Sequence, residues 1–79
     1  METLDTITNR VIRLLSDTVT SGTYTTSELQ YFIQDATYAV PLEYPDFTDY
    51  TVTIVSGISP TPSGVNGYIL SLKAACLAY

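Results

Sequence analysis

Residues 24–41 read YTTSELQYFIQDATYAVP, and this stretch holds the most specific local signature in the chain. Thr25 is placed to cap a helix with its hydroxyl, while Glu28, three residues on, reaches back to the Thr25 amide as a capping box. Tyr24 and Leu29 occupy the two positions of a hydrophobic staple around it. From Ser27 to about Ala39, the apolar residues Leu29, Phe32, Ile33, Ala36 and Val40 recur at three- and four-residue intervals, which predicts an amphipathic helix. Pro41 disfavours helical backbone at Val40 and is expected to end it. Tyr31 and Tyr38, seven apart, project in nearly the same direction beside the apolar stripe. They read either as an interface ridge or as the rim of the chain's own core.

Upstream, residues 3 to about 19 carry Leu4, Ile7, Val11, Leu14 and Leu15 at helical spacing, with Glu2 and Asp5 near the N-terminal end, where the helix dipole favours negative charge. Arg10 and Arg13 lie one turn apart and form either a docking pair for a partner's carboxylates or an ordinary solvated face. The Ser/Thr/Gly-rich run from Ser16 to Thr23 should end this helix, because short polar side chains compete for its backbone hydrogen bonds.

Downstream, residues 41–49 contain two prolines and three acids and read as a loop anchored by Leu42, Tyr44 and Phe47. Glu43, Asp46 and Asp49 lack the glycine-punctuated spacing of a calcium loop. Tyr50 to Val55 alternates Tyr50, Val52 and Ile54 against threonines, the period-two pattern of a half-exposed strand. A lone strand leaves backbone groups unpaired, so it should pair with a weaker segment of this chain or extend a neighbour's sheet. Ser56 to Gly64 reads as irregular. From about Val65 onward, Val65, Tyr68, Ile69, Leu72, Ala75, Cys76 and Tyr79 predict a third helix with that stripe inward and Cys76 as a small core residue. Lys73 is its one charge, so this helix is apolar nearly all round and calls for more cover than two short helices provide. Its end at Tyr79 lacks a capping Gly or Asn, from which we expect the natural chain to continue.

A chain of 79 residues is one domain with one core. Such a core rarely supplies more than about 3 to 5 kcal/mol without a disulfide, a metal or a partner. One cysteine excludes an intrachain disulfide, and with no histidine no metal or other cofactor is expected, which leaves oligomerisation. The net charge of −5 argues against phosphate-neutralising contacts with nucleic acid and against an anionic membrane surface. No apolar run approaches the roughly 20 residues of a membrane span, and no secretory signal is evident at the N-terminus. Histidine is missing, the carboxylates sit in a loop or at helix ends, and no phosphate-cradling glycine motif occurs, so the chain is not expected to be an enzyme.

The fold expected is mainly α: a single domain over residues 1–79 of about three helices, with an extended β segment or hairpin between helices two and three. The stretch Arg10 to Asp17, the Thr/Ser/Gly turn, the entry Tyr24-Thr-Thr-Ser-Glu-Leu29 and the helix through Gln34-Asp-Ala36 resemble head-to-tail connector, or neck adaptor, proteins of tailed bacteriophages. Tyr50 to Ile54, the Ser59-Pro-Thr-Pro-Ser63 turn and the Ala-rich segment through Leu72-Lys-Ala-Ala-Cys-Leu-Ala78 also look like that family.

The resemblance implies a structural virion protein, a homo-oligomer in a ring that is commonly dodecameric, docked on the portal protein and receiving a tail or stopper protein. It further implies a place at the virion neck after assembly in the host cytoplasm, and an acidic channel through which DNA passes without specific binding. Similar adaptors usually carry further helices, a departure that touches the ring contacts. The alternative is a small acidic interaction module of a larger cellular protein; a helix-turn-helix DNA binder is disfavoured by the shortage of Lys and Arg. Candidate subunit-interface residues are Arg10, Arg13, Tyr31, Tyr38, Tyr50, Val52 and Ile54.

Overall fold

The computed structural model describes residues 2–16, 24–53 and 57–78. Along them run α1 (Leu4–Ser16), α2 (Thr26–Glu43), β1 (Thr51–Thr53), β2 (Gly57–Ser59) and α3 (Gly64–Ala78). The architecture is mainly α, with a two-stranded antiparallel hairpin between α2 and α3.

Helix α1 forms on the expected stripe: Leu4, Ile7, Val11 and Leu15 are buried, and each side chain taken out of water contributes about 1.5 to 3 kcal/mol. Thr3 caps it by accepting the Thr6 amide at 3.1 Å. The capping box of α2 is complete, the Thr25 amide donating to Glu28 Oε1 at 3.0 Å and the Glu28 amide to Thr25 Oγ1 at 3.2 Å. Tyr24 packs edge-on against Phe32, with ring centroids 5.7 Å apart, and its hydroxyl donates to the Ala78 carbonyl. The start of α2 is thereby tied to the end of α3.

Pro41 does not end α2, which continues to Glu43. A proline this close to a C-terminus removes one amide, the one that would donate to the Thr37 carbonyl, and the next turn still closes through the Tyr44 amide on Val40 O at 2.8 Å. Val40 is buried, and that burial offsets the steric cost of helical backbone before a proline.

The strand expected over Tyr50–Val55 is β1, observed over Thr51–Thr53; Ile54 and Val55 lie outside the described residues. Its partner lies in this chain, within the Ser56–Gly64 run read as irregular, with Thr51 opposite Ser59, Val52 opposite Ile58 and Thr53 opposite Gly57. Gly57 has φ +100°, a conformation that a side chain would strain. Gln34 Nε2 of α2 donates to Val52 O at 3.0 Å, which ties a helix side chain to the β1 backbone.

Helix α3 contradicts the stripe assigned to it. The buried side chains are Leu70, Ser71, Ala74 and Ala78, together with Gly67, whereas Val65, Tyr68, Leu72 and Cys76 are exposed. The helix is turned by about half a revolution from the expectation, and Cys76 is a surface residue. Small residues permit close approach of α1 and α2, which the larger stripe would prevent. Ser71 Oγ donates to Gly67 O at 2.7 Å, so even this hydroxyl is satisfied in the interior. The Glu2 amide donates to Pro62 O at 2.9 Å and Arg10 reaches Ser71, so α1 and α3 run in the same sense, with α2 opposed.

Candidate contact surfaces

Among the described residues, exposed large apolar side chains line up along the outer sides of two helices, with Ile12, Tyr44 and Leu77 exposed apart from them. The first is the outer side of α2. Leu29, Ile33, Ala36 and Val40 point inward, and half a turn away Tyr31, Tyr38 and Leu42 line up at spacings of seven and four. Leu42, read in the sequence as a loop anchor, lies within α2 and is 85% exposed, so it contributes to this ridge and not to the core. The acids Glu28 and Asp35 are exposed on the same side.

The second surface is the outer side of α3, where Val65, Tyr68 and Leu72 follow at three- and four-residue spacing. Its borders carry charge. Lys73 Nζ donates to Glu43 Oε1 at 2.9 Å, which raises the lysine pKa and fixes the end of α2 beside the middle of α3. On the opposite border Arg10 lies over the Tyr68 ring, 5.5 Å from its centroid. Beside the stripe an open hollow of about 440 Å³ is lined by Tyr44, Asp46, Phe47, Thr48, Asn66 and Ile69.

The candidate interface residues fall into separate groups. Tyr31 and Tyr38 are exposed and share one ridge, and Arg13 is exposed on α1. Arg10 is no open docking group. Its two terminal nitrogens bind the two carboxylate oxygens of Glu2, Nη2 to Oε2 at 3.0 Å and Nη1 to Oε1, and Nη1 also donates to Ser71 Oγ at 3.2 Å. This bond holds the Glu2 carboxyl below its ordinary value and raises that of Arg10. The carboxylate that Arg10 binds comes from the chain itself, so Arg10 is neither an open docking group nor an ordinary solvated one.

Tyr50 and Val52 are likewise corrected, because the face of β1 that bears them turns into the core under α2. The Tyr50 hydroxyl accepts Asn66 Nδ2 at 2.8 Å and its ring meets Phe47 edge-on, so both ends of the side chain are engaged within this chain. Ile54 lies outside the described residues. The α3 stripe escaped the sequence reading as a surface because its residue types suit a core equally well. Among the described residues, no three Asp, Glu or Cys side chains converge as metal ligands, and no helix is long and apolar enough to cross a membrane.

No family model, curated protein or solved structure matches this chain.

Proposed function

We propose that this chain is a non-catalytic subunit of a protein assembly, and that the assembly is the neck of a tailed bacteriophage. There it would form a head-to-tail connector ring between portal and tail or stopper, with DNA passing through the ring. The observation that carries the assembly reading is the outer side of α3: a helix in a 79-residue domain leaves Val65, Tyr68 and Leu72 exposed while burying Leu70 together with its small residues. Each forgoes part of the about 1.5 to 3 kcal/mol that complete burial of a large apolar side chain supplies. A contiguous patch of that kind marks a surface for another chain. The polar pairs Arg10–Glu2 and Lys73–Glu43 beside an apolar centre match the rim-and-centre layout of protein interfaces. The phage identity rests on the sequence resemblance.

Native mass spectrometry of the chain, alone and with a portal protein from the same genome, tests both levels. We expect concentration-dependent oligomers and a complex with the portal. A monomer that ignores the portal across a wide concentration range would overturn the reading.

A further inference from the structure

Arg10 of α1 and Ser71 and Gly67 of α3 meet around the Glu2 carboxylate, and each keeps its place by contacts that do not involve that acid. The Arg10 guanidinium donates through Nη1 to Ser71 Oγ at 3.2 Å and lies over the Tyr68 ring, 5.5 Å from its centroid. Ser71 is fully buried and gives its own hydrogen to Gly67 O at 2.7 Å, which leaves its oxygen free to accept from the arginine. Gly67 supplies the floor: a Cβ there would come within 2.6 Å of Glu2 Cγ and 2.9 Å of its carboxyl carbon, so the seat exists because this position has no side chain. Glu2 precedes the first residue of α1, so its side chain takes no part in the helix. Without it, an arginine side chain only 17% exposed would hold its charge largely out of water with no counter-charge, a costly state that an anion of the right shape relieves.

We propose that the seat formed by Arg10, Ser71 and Gly67 is a carboxylate-binding site in its own right, which Glu2 fills in the resting chain and which takes an aliphatic carboxylate from outside when that of Glu2 is withdrawn. The planar guanidinium presents two parallel donors to two oxygens, a match that a spherical halide cannot make. While Glu2 is present its tether holds the acid at a high effective concentration, which keeps weak free acids out. A small free acid and the side chain of an aspartate or glutamate on another chain share this chemistry. The inference is independent of how the exposed faces of α2 and α3 are used.

Chemical rescue tests it. Glu2→Ala removes the Cγ and the carboxyl group, the heavy atoms of acetate, and leaves a gap of that size. At neutral pH, about 200 mM acetate should raise the Tm of this variant by about 4 °C over chloride at equal ionic strength, with a saturable dose dependence. The native chain and Glu2→Gln, whose seats are filled, should show no such difference. Adding Gly67→Ala or Arg10→Gln to Glu2→Ala should abolish the acetate response, the first by filling the seat and the second by removing its charge. If Glu2→Ala does not fold alone, the same comparison is read as acetate-dependent recovery of helical circular dichroism. A second arm replaces acetate by glutamate blocked at both backbone ends: an equal response shows that the site accepts an acid from another chain, and a response to acetate alone confines it to small free acids. A Glu2→Ala chain that answers acetate no more than chloride, or a response that survives Gly67→Ala, would overturn the proposal.

Discussion

Helices α1 and α3 present opposite problems to the same core. In α1 the apolar residues Leu4, Ile7, Val11 and Leu15 face charged and polar ones across the helix, so only one orientation hides apolar surface. In α3 both sides are apolar, and hydrophobicity alone cannot choose between them. Size chooses instead. The side bearing Gly67, Ser71 and Ala74 beside Leu70 faces inward because its small residues let neighbouring backbones approach, and Val65, Tyr68 and Leu72 are left outside.

The contrast is most easily broken at Ile7 and Leu70, both fully buried. Ile7→Ala and Leu70→Ala should each destabilise by about 2 to 5 kcal/mol in urea unfolding, the range for large-to-small changes in a core. Leu72→Ala, two residues on and on the outer side, should stay within about 0.5 kcal/mol in dilute solution. Equal losses at Leu70 and Leu72 would mean that the α3 orientation is wrong.

A change in the other direction sharpens the role of size. Ala74 is fully buried against the neighbouring helices, so Ala74→Leu inserts volume where the helices touch and should cost about 1 to 3 kcal/mol although it adds apolar surface. Were hydrophobicity the deciding term, the same substitution would stabilise.

These two helices also mark how far the sequence could be read. The α1 stripe and the Thr25–Glu28 capping box were legible because each depends on residues within one or two turns. The end of α2 was not, since a proline in a last turn loses one hydrogen bond while the burial of Val40 is a tertiary gain that no local rule contains. The partner of β1 was hidden because Gly57–Ser59 has a single large apolar residue, Ile58, too short a run to show alternation. Among the candidate contact residues, Tyr31 and Tyr38 could be placed on one ridge from spacing alone. The burial of Tyr50 and Val52 depends on where α2 lies, and the pairing of Arg10 with Glu2 depends on their meeting Ser71 and Tyr68 of α3.

The ion pair between Glu2 and Arg10, at the N-terminal end of α1, lies where Arg10 also meets Ser71 and Tyr68 of α3, and its contribution to stability depends on pH. Arg10 lowers the folded-state pKa of Glu2 below its ordinary value of 4.5, so the stabilisation is fully present above that value and is lost as the pH falls through the lowered one. Glu2→Gln should therefore be less stable than the native chain at neutral pH, by a smaller margin than the core variants. The two denaturation curves should converge as the pH drops below 4.5. A gap that persists unchanged in acid would show that the carboxylate charge contributes nothing to the junction. Gly67 belongs to the same junction: a Cβ there would come within 2.6 Å of Glu2 Cγ, so a side chain on α3 would push the carboxylate off Arg10.

The smallest effect on stability, and the sharpest report on which side of α3 is outside, belongs to Cys76. It follows Leu72 by one turn on the outer stripe and is exposed, so Cys76→Ala should change stability by no more than about 0.5 kcal/mol. The native thiol should react with a chromogenic disulfide in the folded state at a rate that urea barely increases. A buried thiol would instead wait for unfolding and show a rate that rises steeply with denaturant.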